Sequence, residues 1–229
     1  MITLSIEQSS TRGSVALLRD EAVLATRTWE YTWRQTQQLF AVLPEMLGGA
    51  NVELCAVDVF AAGIGPGSFA GCRMAVSASR AFAVPGGKCV FGISSGEALA
   101  HDIFQETDAE TVVVVGDARR QHVWLGHFAR GEGWPVMTRP WSLQQSDRLT
   151  EELPAKGVVV SPEWERLSGL LKQICPQGIT LVEEDRFPDA GALGLLACRK
   201  VMNNSTSEPL SPIYLHPAVR PDYKNAETK

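Results

Sequence analysis

Short apolar runs separated by polar residues dominate the first 30 positions of the chain. Three segments have the alternation that is typical of strands: Met1 to Glu7, Gly13 to Arg19 and Ala22 to Thr28. Three short strands in succession predict an antiparallel meander. A helical spacing of apolar residues follows from about Arg34 to Leu47, and Pro44 predicts a kink in that helix.

The segment from Val57 to Met74 changes from a strand pattern to a helical pattern through a glycine-rich loop. The strand pattern ends at Gly63, and Ser68 is the expected N-cap of a helix that runs to about Ala83. One face of this helix carries mostly small residues, which permit close packing: Gly71, Ala75, Ala78 and Phe82.

The glycine loop does not match the common nucleotide-binding motifs. A Walker loop requires Lys followed by Ser or Thr, whereas Cys72 and Arg73 follow Gly71 here. The spacing G-x-G-x-x-x-G, with no acid on the next predicted strand, is a weak match to a dinucleotide fingerprint. The alternative is that the glycines only allow a sharp turn and close helix packing.

The predicted elements repeat along the chain. The order through Phe104 is β-β-β-α-β-α-β-α, and a second series begins at Thr111 with two strands around the polar turn Asp117 to Arg120. This repetition predicts two similar units, at 1–104 and 105–229, with the last helix, Asp189 to Val201, packing back on the first unit. Mixed parallel and antiparallel connections predict α/β halves that meet in a cleft.

Composition and charge narrow the functional classes. The net charge is −5 with a pI near 5.4, so there is no electrostatic case for nucleic-acid binding by the chain alone. The five cysteines are odd in number and widely spaced, which favours reduced thiols over disulfides or a zinc site. The first residues lack a basic targeting region, and no apolar run approaches the length of a membrane span. A soluble cytoplasmic protein is expected.

Four segments together resemble the signature blocks of the TsaB (YeaZ) family, in the same order: Ala61 to Arg73, Gly92 to Ala100, Asp117 to Arg120 and Pro212 to Leu215. The resemblance implies an actin-like ATPase (ASKHA) fold of two ribonuclease-H-like halves. It also implies a role in forming threonylcarbamoyladenosine at position 37 of tRNAs that read codons beginning with A. In that family the protein is a non-catalytic partner of the metal-binding transferase TsaD, a TsaE-like ATPase is a further partner, and tRNA is met only through the complex.

The resemblance also implies a nucleotide site, because the first hairpin of each half grips phosphates in actin-like proteins. The matching positions are Glu7, Ser9, Ser10, Thr11, Asp117 and Arg119. ATP or ADP with Mg²⁺, held at a subunit interface, is the expected cofactor. The family usually has Asp-Thr where this chain has Glu7-Gln8, which displaces the carboxylate and removes a hydroxyl ligand. The alternative is that Glu7 and Asp117 only terminate strands.

A partner-binding surface is implied for the two helices around the glycine loop. The candidate interface residues are Leu39, Leu43, Gly71, Met74, Ala75 and Ala78. The alternative is that these positions face the core of the chain itself, in which case only a second, exposed stripe would mark a partner. The free protein could self-pair through the same surface. The family's usual His-Ser-Glu before Leu39 is replaced by Thr36-Gln37-Gln38.

No catalytic or metal-ligating constellation stands out among the remaining residues. His101, His122, His127 and His216 contain no H-x-x-x-H pair, and a G-x-S-x-G motif is absent. The second functional class that stays open is a free-standing phosphotransferase or hydrolase of the same fold. A kinase of this kind would need a catalytic aspartate and a well-placed metal carboxylate.

Overall fold

The computed structural model describes residues 1–31, 38–205 and 209–215, which form two mixed sheets flanked by helices. The expected start of the first helix at Arg34, the replaced His-Ser-Glu positions Thr36 and Gln37, and the tail beyond Leu215 lie outside these residues.

The first sheet has the strand order β3-β2-β1-β4-β5. Its strands are β1 (Ile2–Glu7), β2 (Arg12–Arg19), β3 (Ala22–Glu30), β4 (Val59–Gly63) and β5 (Cys89–Ile93). The first three strands pair in antiparallel fashion, as the meander predicted, and β4 and β5 add in parallel beside β1. A parallel addition requires a crossover, and helices supply it.

The second sheet repeats this arrangement strand for strand. It contains β6 (Thr111–Arg119), β7 (His122–Ala129), β8 (Val136–Gln145), β9 (Gly157–Val160) and β10 (Ile179–Leu181). The order β10-β9-β6-β7-β8 and its strand directions match those of the first sheet. Two such ribonuclease-H-like halves make the actin-like ATPase fold, and the predicted fold class is confirmed.

Helices cover the faces of both sheets. They are α1 (Gln38–Gly49), α2 (Phe69–Ala83), α3 (Ser95–Glu106), α4 (Leu149–Glu152), α5 (Trp164–Ile174) and α6 (Ala190–Met202). Helix α1 continues through Pro44. None of the helices in the described ranges is long and apolar enough to cross a membrane.

The central strand β1 is buried on both faces, because its alternating side chains contact different helices on the two sides of the sheet. Leu4 and Ile6 point into the core formed with α1 and α2. On the other face Ser5 Oγ donates to the Ala190 carbonyl at 2.5 Å, and Thr3 Oγ1 lies 3.2 Å from Cys198 Sγ. Helix α6 therefore packs on the first sheet, although it follows the second sheet in the chain.

Strand β8 has 10 residues and contains Pro140. It continues past Pro140 because β8 is an edge strand, where the missing N–H of proline need not be paired. The pairing with β7 shifts register here, since Leu125 lies opposite Ser142 and His127 opposite Arg139. The residues after Pro140 bring Trp141 into contact with the core of the second half.

Candidate functional site

A cavity of about 1240 Å³ lies between the β1–β2 turn and the β6–β7 hairpin. The structure brings five of the six predicted nucleotide contacts to its wall: Ser9, Ser10, Thr11, Asp117 and Arg119. They meet because β1 and β6 are equivalent central strands of the two halves. The binding of a nucleotide by these residues stays a prediction.

Glu7, the sixth predicted contact, does not line this cavity. Its side chain is completely buried, where Oε1 accepts from the Ser9 N–H at 2.5 Å and Oε2 accepts from Ser95 Oγ at 2.7 Å. The carboxylate folds onto Gly63, where an added Cβ would lie only 1.9 Å from Oε2. Burial raises the pKa of Glu7. The expectation that Glu7 faces a bound cation is corrected, because the longer side chain turns inward and braces the loop.

The glycine loop packs directly against the first hairpin turn. Ser68 caps α2 as predicted, with its Oγ accepting from the Gly71 N–H at 3.2 Å, and its own N–H donates to the Ser9 carbonyl at 2.6 Å. A Cβ at Gly71 would lie 1.8 Å from the Gln8 carbonyl oxygen, and one at Gly67 would lie 2.1 Å from the Ser9 carbonyl oxygen. The glycines are thus required for close approach, and their loop holds the cavity wall in place.

A second acid accompanies Asp117 on the opposite wall. Glu163, at the start of α5, accepts from the Asp117 N–H at 2.8 Å, and burial raises the pKa of its carboxyl group. Asp117 itself lies 3.0 Å from Arg119 Nη1 and 3.7 Å from Arg166 Nη1. Sequence reasoning missed Glu163 and Arg166, because the two residues lie more than 40 positions from Asp117 and carry no motif.

The β6–β7 turn has an unusual backbone. Arg119, Arg120 and Gln121 have φ values of 66°, 50° and 60°. Such left-handed conformations suit Asn and Gly in tight hairpins, and they cost other residues about 1–3 kcal/mol each. Arg119, which lines the cavity, therefore occupies a position that backbone stability alone disfavours.

The cavity mouth also carries two exposed aromatic rings. Phe69, at the start of α2, and Tyr214 have ring centroids 5.0 Å apart, with an angle of 36° between the ring planes. The Arg73 guanidinium lies 5.1 Å from the centre of the Phe69 ring. Tyr214 is held there because the neighbouring Ile213 N–H donates to the Ile64 carbonyl at 2.8 Å.

Most of the predicted partner-interface residues lie inside the chain's own core. Buried positions are Leu39, Leu43, Gly71, Ala75 and Ala78, while Met74 is half-buried. Except for Gly71, the buried residues pack together with Leu4 and Ile6 of β1. For these five residues the expectation of a partner contact is corrected, since the inward stripe of α2 is needed to cover the sheet.

A different surface of the same helices faces solvent. We call it the outer face, and it consists of Phe40, Ala41, Pro44 and Gly48 of α1 with Ala70, Met74, Ser77 and Ala81 of α2. The helices are neighbours, because the Phe40 and Phe82 rings meet edge to face with centroids 6.2 Å apart. The α2 residues have the same spacing as the buried stripe, one position earlier. The outer face is therefore a second apolar stripe.

Known proteins match nearly the whole chain in sequence and in fold. The tRNA threonylcarbamoyladenosine biosynthesis protein TsaB of Escherichia coli K12 is 25% identical over 226 residues, covering 94% of each chain. The protein of that name from Haemophilus influenzae is 33% identical over 132 residues, which span 56% of this chain and 53% of the relative. The solved structure of YeaZ from Pseudomonas aeruginosa has a TM-score of 0.80 at 25% identity, covering 93% of this chain and 99% of the other. The chain thus resembles TsaB (YeaZ) proteins over nearly its whole length.

A family model matches part of the chain. The model described as TsaD, tRNA N6-adenosine threonylcarbamoyltransferase, matches residues 33–133. This range contains the glycine loop, α2, α3 and the β6–β7 hairpin. In residues 1–31, 38–205 and 209–215, no group of three or more His, Cys, Asp or Glu side chains is arranged to hold a metal ion.

Proposed function

We propose that this chain takes part in the synthesis of threonylcarbamoyladenosine in tRNA, as a cytoplasmic subunit that pairs with a TsaD-like transferase and activates it. The observation that carries the proposal is the full-length match to TsaB of Escherichia coli, with the same fold as YeaZ. The partial match to the TsaD model supports a common origin with the proposed partner. A TsaE-like ATPase is the third proposed component.

We assign the transfer of the threonylcarbamoyl group to the TsaD-like partner. Of the described histidines, His101 lies on α3, whereas His122 and His127 lie on β7. Burial lowers the pKa of His101 and of His127, which suits neutral structural histidines. These side chains offer no open, oxygen- or nitrogen-rich pocket of the kind that metal catalysis requires.

The outer face is the proposed contact with the transferase. It combines exposed Phe40 with small residues that allow two helices to approach closely. Exposed apolar area of this kind is typical of interaction surfaces. The same face would pair two copies of the chain when the transferase is absent, as a homodimer.

The cavity does not suit Mg²⁺–ATP in the manner of an active ATPase. Glu7 is sealed behind the loop, and the carboxylate of Asp117 is already paired with Arg119 and Arg166. Glu163, the other acid of the described cavity wall, already accepts from the Asp117 N–H, so a hard cation would meet no carboxylate there without an existing partner. We propose that ATP or ADP with Mg²⁺ binds only at an interface of the assembled complex, outside this cavity, where partner groups supply the cation ligands. Because these acids already have partners, a free-standing phosphotransferase or hydrolase is disfavoured.

Reconstitution tests the proposed function. The cognate transferase, the ATPase and unmodified tRNA are combined with and without this chain, and threonylcarbamoyladenosine is measured by mass spectrometry of the digested RNA. Modification that depends on this chain is the expected result. Equal modification without the chain would reject the subunit role, and ATP hydrolysis by the purified chain alone would restore the free-standing enzyme.

A further inference from the structure

The exposed ring pair at the cavity mouth is the feature that the subunit role leaves unexplained. Phe69 and Tyr214 are 57% and 51% exposed, although burial of such large apolar rings is favourable. Neither ring lies in one of the hydrophobic core clusters of the described chain. Arg73 adds a cation beside the Phe69 ring. The three side chains form an open platform on which a flat ring could stack.

Positive groups stand on the other side of the same cavity. The side chains of Arg119 and Arg166 are 64% and 49% exposed, and both line the cavity together with the two rings. Asp117 and Glu163 line the same cavity and offset these two charges on a formal count. Arg73 beside the Phe69 ring adds a third arginine, so the rings and the cavity wall together have three arginines against two acids on a chain whose overall charge is −5.

An open aromatic platform beside arginines is the chemistry that recognises single-stranded RNA. Unpaired bases stack on Phe or Tyr, and guanidinium groups contact the phosphates between them. The cavity of about 1240 Å³ is larger than the 300–1,000 Å³ of ordinary small-molecule pockets, and both rings are part of its wall. The hydroxyls of Ser9, Ser10 and Thr11 supply further contacts for sugar and phosphate oxygens.

We propose that, in the tRNA-modifying assembly, this mouth holds an unpaired segment of the RNA substrate, with one base on the Phe69–Tyr214 platform and phosphate on Arg119 and Arg166. The proposal rests on the proposed function, because that function supplies the RNA. The proposal goes beyond that function because it gives this chain direct contact with the RNA substrate. The overall negative charge makes the contact too weak for the free chain, so it operates only when partner proteins hold the RNA nearby.

The test measures RNA affinity of the complete complex rather than of the free chain. The probe is fluorescently labelled, unmodified tRNA, and its Kd is determined by anisotropy at several salt concentrations. Phe69→Ala and Tyr214→Ala should each weaken binding about tenfold, within the range expected for loss of one stacked base. Phe69→Trp should bind like the original chain, because it keeps a stacking ring. Arg119→Ala should lower the slope of log K against log salt by about one.

Two remote substitutions serve as matched controls. Arg148→Ala removes an exposed arginine and Val136→Ala removes an exposed apolar side chain, both outside the cavity. Neither should change Kd or the salt slope. Size-exclusion chromatography of every variant with the partner proteins reports whether the complex forms.

Each result decides the proposal. Weaker RNA binding with an intact complex supports it. Unchanged RNA binding overturns it, and so does loss of assembly in Phe69→Ala, which would show that the platform contacts a protein partner. Failure of the proposed function is separate, because it would appear as modification that does not need the chain at all.

Discussion

Glu7 accepts a hydrogen bond from the Ser95 hydroxyl at 2.7 Å, between residues 88 positions apart in the chain. The same hydroxyl accepts from the Gly65 N–H at 3.0 Å. One buried serine thus links strand β1, the glycine loop and the first turn of α3.

Ser95→Ala should lower the free energy of unfolding by about 2 kcal/mol, since two buried polar groups lose their partner. Urea unfolding followed by circular dichroism measures the change. Ser77→Ala is the matched control, because Ser77 is an exposed serine of a neighbouring helix. Equal stabilities of the two variants would contradict the bracing role of Ser95.

Gly71→Ala should destabilise the fold by about 3 kcal/mol, because the new Cβ would overlap the Gln8 carbonyl oxygen, which is fixed backbone. Gly48→Ala is the control within a neighbouring helix. A Cβ at Gly48 has no neighbour within 4 Å, so this change should stabilise α1 by about 0.5–1 kcal/mol. Thermal and urea unfolding of both variants test the contrast, and a stable Gly71→Ala protein would argue against close packing at this point.

The adjacent residues Ser77 and Ala78 separate partner binding from folding. Ala78 is buried at 5% exposure, so Ala78→Arg should prevent stable folding by forcing a charge into the core. Ser77→Arg should leave the unfolding transition unchanged and abolish the complex with the transferase, because it places a long cation on the outer face. Pull-down with the cognate transferase and circular dichroism measure the two effects. Retained binding by a folded Ser77→Arg protein would place the interface elsewhere.

Asp102 on α3 should make stability depend on pH. Burial, followed by repulsion from Asp189 and Glu106, raises the pKa of this carboxyl group from 3.8 to about 7. The folded state therefore holds the proton more tightly than the unfolded state. The resulting stabilisation is complete below about pH 4 and is lost as the pH rises to about 7.

Asp102→Asn removes this titration. At pH 8 the variant should be more stable than the original chain by about 2 kcal/mol, less than the full shift would give because the side chain keeps some solvent contact. Near pH 4 the two proteins should be equally stable. Urea unfolding across this range tests the prediction, with Asp108→Asn as the exposed control. A stability difference that stays constant with pH would show that Asp102 is not the responsible group.

The local sequence pattern was sufficient to predict the helices and strands and their repetition along the chain. Strand alternation in the first 30 residues, the Ser68 cap and the apolar run of β4 depend on neighbours in sequence, and the structure has each of them where expected. The close packing at the glycine loop could also be predicted, because glycine lets another backbone segment approach closely and the prediction does not depend on which segment that is. The family blocks lie on these locally determined elements.

Only the tertiary structure decided which side chains face the core, the cavity or the solvent. Helix α2 has two apolar stripes one residue apart, and helical periodicity cannot tell Ala78 from Ser77 until the sheet covers one of them. The inward turn of Glu7 depends on the space beside Gly63, and the Glu163–Asp117 contact joins separate elements. Phe69 and Tyr214 meet because the Ile213 N–H donates to the Ile64 carbonyl at the start of the glycine loop. Sequence patterns thus determined the elements and the family resemblance, whereas contacts between distant segments determined the site.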